Sequence, residues 1–124
     1  MSSVEDLCKK TILELIDDLK EYVFTESDEQ SDIMMVELFF RSKPALEIVY
    51  HIIQHILPHE HHITAKNDRF FVDNKQLFEG LPSQKIGYYT NQLTSDRIDA
   101  DDKEMIWKYF NTLVKLAKKY KKND

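Results

Sequence analysis

Glycine is nearly missing from this chain: there are two in 124 residues, with three Pro and one Cys. Phosphate-cradling loops, nucleophile elbows and tight hairpins all draw on glycine, so those devices are not expected. One Cys makes no internal disulfide, which excludes a disulfide scaffold and favours a reducing compartment. Long hydrophobic runs are also missing. Ile33–Phe40 is interrupted by Glu37, and Ala45–Leu57 by Glu47, His51, Gln54 and His55. A membrane-spanning helix needs roughly 20 apolar residues, so no membrane segment is expected. The opening MSSVEDLCKK is polar and carries Glu5 and Asp6 ahead of its lysines, unlike a signal or transit peptide. KKND at the end is no lipidation or retention signal.

What is present is enough for a core. Hydrophobic residues make up 42% and aromatics 11%, too many for a disordered polymer, and the length suits one domain. The formal charge of −5 is unevenly spread. Residues 1–42 carry −7, residues 96–107 carry −3, and residues 108–124 carry +5.

Apolar spacing predicts helices throughout. Val4, Cys8, Ile12, Leu15, Ile16, Leu19 and Val23 form a stripe at three- and four-residue steps, giving a long N-terminal helix over residues 1–24 with Ser2 or Ser3 as cap. TESDEQSD, residues 25–32, has no apolar residue and reads as an acidic linker. Ser31 or Asp32 then caps a second helix to about Arg41, nearly apolar all round. A strand is the rival reading of so short a run. Pro44 opens a third helix, and Pro58 ends it or bends the chain into the next one. Ile63, Phe70 and Phe71 fit a helical face. Leu77 and Phe78 precede the turn Gly80-Leu81-Pro82, and Ser83 caps a short helix bearing Ile86, Tyr89 and Leu93. Asp99 caps the last helix, whose stripe runs from Ile106 to Tyr120. The expected fold is all-α, a single-domain irregular bundle of five or six helices, with the helical core over residues 33–122 and a tail of 123–124.

Several residues carry candidate chemistry. His51, His55, His59, His61 and His62 crowd one segment, and the spacing of the first two presents two imidazoles to one metal. The bland reading puts them on a solvated face and a polar turn. Lys115, Lys118, Lys119, Lys121 and Lys122 offer a nucleic-acid contact, or simply the solvated end of a helix. Met34, Met35, Phe39 and Phe40 suit a partner groove, and Trp107, just off its stripe, an interface anchor. Core packing is the alternative for each. Cys8 sits on an apolar stripe and reads as a packing residue, and Asp96, Asp99, Asp101, Asp102 and Glu104 read as helix capping. No motif assembles nucleophile, base and oxyanion donor, so an enzyme is not expected, and no cofactor is implied.

RFFVDNKQLFEGL (residues 69–81) and DDKEMIWKYFNTLVKLAKKYKK (residues 101–122) carry a resemblance. With Leu57-Pro58 and Ile63, the pair Phe70-Phe71, the turn Phe78-Glu79-Gly80-Leu81-Pro82 and the run Asp102–Phe110, the chain resembles an uncharacterised all-helical protein family of nucleocytoplasmic large DNA viruses. The likeness covers roughly residues 30–122. It implies a small non-enzymatic protein of a virion or of the infected host's cytoplasm. The function expected is a protein–protein interaction module, by a protein partner or self-association, with nucleic-acid binding and His-cluster metal binding as alternatives.

Overall fold

A computed structural model describes residues 3–74 and 80–123. Helix α1 (Val4–Asp18) starts where the Ser3 hydroxyl accepts the Asp6 N–H at 3.1 Å, with Glu5 and Asp6 in the positive first turn. It runs on through one wider π turn, Leu19–Val23, so the stripe stays helical to its predicted end. Helix α2 (Ser27–Arg41) starts earlier than expected. Glu26 and Glu29 form a reciprocal capping box, which draws the acidic segment 27–32 into the helix. The linker therefore shrinks to a few residues, and the rival strand is not formed.

Lys9 of α1 closes the far end of α2. Its ammonium donates to the Arg41 and Lys43 carbonyls at 2.9 and 2.7 Å, satisfying oxygens that a helix end leaves without partners. Pro44 is the N-cap of α3 (Ala45–His55), and Pro58 lies in a 3₁₀ turn, Leu57–His59, that redirects the chain.

Two one-turn helices follow, α4 (Glu60–Thr64) and α5 (Arg69–Asp73). Lys66, at φ 54°, ends α4 in a Schellman turn: Lys66 N–H donates to Ile63 O and Asn67 N–H to His62 O. Leu77, Phe78 and Glu79 lie outside the described residues. Helix α6 (Ser83–Leu93) and the long α7 (Ala100–Asn123) complete the chain. The Asp99 side chain accepts the Asp102 N–H at 2.8 Å, as its cap position predicts. No strand is present among the described residues, and the fold is all-α.

Helix α1 packs on α7, α3 and α2, and its stripe meets theirs in one core. It meets α7 through the hydrogen bond from the Tyr109 hydroxyl to Asp18 and runs antiparallel to α2, with Lys9 at Arg41 and Gln30 at the Lys20 carbonyl. Within that core an aromatic cluster roofs α7. Phe70 and Phe71 stand against Trp107 and Phe110, with ring centroids 5.0–6.2 Å apart. Such ring pairs add about 0.5–1.5 kcal/mol each beyond area burial. No helix of the described residues is long and apolar enough to cross a membrane.

Candidate functional site

The inner face of α2 is Glu29, Asp32, Ile33, Val36 and Phe40, all buried. With 100° per residue, Met34, Met35 and Leu38 then fall on the opposite side. They are 50%, 48% and 58% exposed. They form one strip, since Met34 and Leu38 are four apart and Met35 and Leu38 three apart. Flanking it are the exposed Ser31 and Arg41. Phe39 lies at the strip's edge, half-buried, with Gly80 against its ring and the Lys43 ammonium 5.0 Å from its centroid.

Two of the expected partner contacts are corrected. Phe40 is 5% exposed and packs edge-on against the His51 ring; Trp107 is 4% exposed under Phe70 and Phe71. Trp107 lies off the simple stripe because α5 supplies its neighbours, not because it reaches out to a partner. Leu38 belongs to the strip and was absent from the expected set. Its signal was the four-residue step from Met34.

Beside the strip, the buried acids of α2 join it to the distal half of the chain. Glu29 receives both guanidinium nitrogens of Arg97, at 2.5 and 2.6 Å, and the Tyr88 hydroxyl at 2.7 Å. Asp32 receives the Lys85 ammonium at 2.6 Å and the Tyr89 hydroxyl at 2.7 Å. The Arg97 hydrogen bonds hold the Glu29 carboxyl below the usual carboxylate range, against the opposing effect of burial. Burial, then the Asp32 hydrogen bond, pushes the Tyr89 hydroxyl well up. These charges are compensated and serve the fold: they dock α6 and the turn before α7 onto α2.

The histidines divide into groups. His51 and His55 rings lie 4.8 Å apart on α3; His59, His61 and His62 gather around the turn beyond Pro58, with His59 also against Phe70 at 5.9 Å. Burial first, then the neighbouring His62 ring, lowers the His59 pKa, so that ring resists protonation. Among the described residues, the group of acidic, His or Cys side chains that brings three ligand atoms within 4.8 Å of one another is Asp17, Asp18 and Glu21. The five imidazoles do not converge in that way, which argues against the alternative of a His-cluster metal centre.

Lys115, Lys118, Lys119, Lys121 and Lys122 are all exposed, and Lys118 is ion-paired to Glu60 of α4. Lys115, Lys118, Lys119 and Lys122 share one face by their three- and four-residue steps. Cys8 is fully buried, and burial followed by Glu5 pushes its thiol up to about 11. That excludes a reactive thiolate at neutral pH. Comparison with family models, with curated proteins and with solved structures finds no match.

Proposed function

We propose that this chain is a non-enzymatic protein–protein interaction module whose contact surface is the outer face of α2. The observation that carries this reading is the contiguous strip of Met34, Met35 and Leu38, each about half exposed, on a helix whose opposite face is sealed in the core. Contiguous apolar exposure marks contact surfaces in soluble domains. Methionine suits such a surface because its unbranched thioether adapts to the shape it meets. For the setting we take the virion or infected-cell cytoplasm, on the resemblance of residues 30–122 alone. Replacement of Met35 or Leu38 by Glu leaves helicity and unfolding temperature near the parent's and abolishes partner binding. Unchanged binding in Leu38→Glu defeats the reading.

A second reading rests on the lysine face of α7. Four exposed lysines within eight residues can lie along a phosphate backbone. The contact would be unspecific in sequence, because the face carries no Arg fork and no exposed ring for stacking. Its signature is affinity for duplex DNA or RNA that falls steeply with salt. Lys115→Ala, Lys119→Ala and Lys122→Ala each flatten the log–log slope by about one. A slope unchanged by the triple substitution removes this reading.

A further inference from the structure

We infer that the occupant of the α2 strip is a second copy of this chain, its α2 laid antiparallel across the first; this rests on the interaction reading above. Charge and shape are complementary along one helix face. The outer face of α2 reads Asp28, Ser31, Met34/Met35, Leu38, Arg41, all exposed. Through Met35 its steps are three, four, three and three residues, which keeps every member on the outer half of the helix. The face is acidic at its start, apolar in its middle and basic at its end.

Such a face is self-complementary only when the two copies run in opposite directions. A two-fold axis passing between Met34 and Met35 sets Met34 of each copy against Met35 of the other. It sets Leu38, the largest knob, against Ser31, the smallest residue of the seam. It sets Arg41 against Asp28 at both ends, about 20 Å apart along the helix. A parallel pairing would instead oppose Asp28 to Asp28 and Arg41 to Arg41. The isologous arrangement is the usual geometry of two-fold dimers, in which one patch serves both partners.

The residues at the ends are free to take part. Asp28 is exposed in the first turn of α2, and Arg41 is an exposed side chain whose in-chain pair with Glu37 is long, at 3.6 Å. The apolar seam is small, three side chains per copy. A standard interface covers about 800 Å² on each partner. The dimer is therefore weak and concentration-dependent, and its end charges decide the register more than the affinity.

Sedimentation velocity and light scattering on the whole purified chain, across concentration, test this. The expected result is a reversible rise from one mass to twice that mass, weakened at least tenfold by Leu38→Glu. Asp28→Arg alone and Arg41→Glu alone weaken it, and the double variant Asp28→Arg/Arg41→Glu restores it. All four variants are exposed substitutions, and circular dichroism confirms that each keeps its helicity. A dimer that ignores the charge exchange overturns the pairing. A chain that stays monomeric at the highest concentration, while a photocrosslinker at position 38 captures a different protein, overturns self-pairing and leaves the interaction reading standing. A monomer that captures nothing at position 38 overturns both.

Discussion

Arg97 reaches Glu29 from 68 residues further along the chain and grips its carboxylate with both terminal nitrogens, at 2.5 and 2.6 Å. Glu29 is 3% exposed, so its charge has little water to fall back on. Arg97 reaches in from the surface, so removing it leaves a buried carboxylate short of its main partner, at a cost of about 1–3 kcal/mol. Arg97→Ala is therefore expected to lower the urea midpoint strongly, whereas breaking the surface pair in Lys10→Ala is expected to change it by less than about 1 kcal/mol. Amide exchange in α6 should rise most in the Arg97 variant, because the same turn docks that helix.

The same contact predicts the acid response. In the unfolded chain Glu29 titrates near the ordinary value of 4.5; in the folded chain the Arg97 hydrogen bonds, aided by the Tyr88 hydroxyl, hold it lower. Between the two values the unfolded state binds more protons, so stability rises with pH there. The contribution is complete above the ordinary carboxylate range and is lost as pH falls through the folded value. Urea titrations of the parent and Arg97→Ala should differ most near neutral pH and converge as the pH falls below the ordinary Glu29 value of 4.5. Curves that run parallel over that range would show that the contact is not the linked group.

The two glycines predict opposite outcomes. Gly80 has φ +101°, and a Cβ there would stand 3.2 Å from the Phe39 Cβ. Gly80→Ala is thus expected to destabilise by more than about 1 kcal/mol. Gly87 lies inside α6 with nothing within 4 Å of an added Cβ. It neither breaks the helix nor admits a close neighbour, so Gly87→Ala should stabilise by about 1 kcal/mol. Thermal melts of the two variants check both signs at once.

Cys8 should be silent to thiol reagents in the native state. It is completely buried and its thiol is pushed up to about 11. Labelling with an aromatic disulfide reagent at neutral pH is expected to proceed only as fast as the chain opens, and to become immediate in denaturant.

The apolar stripes of α1, α3 and α7 were legible in the sequence because each depends on spacing within one helix. So was the Asp99 cap, a local signal. The start of α2 was not. Eight residues without an apolar side chain look like a linker, and the partners that let Glu29 and Asp32 be buried there lie far away, in Arg97, Lys85, Tyr88 and Tyr89. The local trace of it was the three-residue step from Glu26 to Glu29, the spacing of a capping box. Trp107 misled for a related reason: its burial comes from Phe70 and Phe71, on a helix too short for periodicity to orient. Among the contact residues, Met34 and Met35 were readable as unusual in so apolar a helix. Which side faced outward became clear only once Glu29 and Asp32 had claimed the inner face.

The most direct test of the interaction surface is a photoreactive side chain at Leu38 of the intact protein, compared with one at Gln84, an exposed polar position on α6. Crosslinking is run on the concentrated pure chain and in cell extract. Discrete protein adducts are expected at position 38, lost when Met35 is also changed to Glu, and none above background at position 84. Equal background at both positions would contradict the interaction reading.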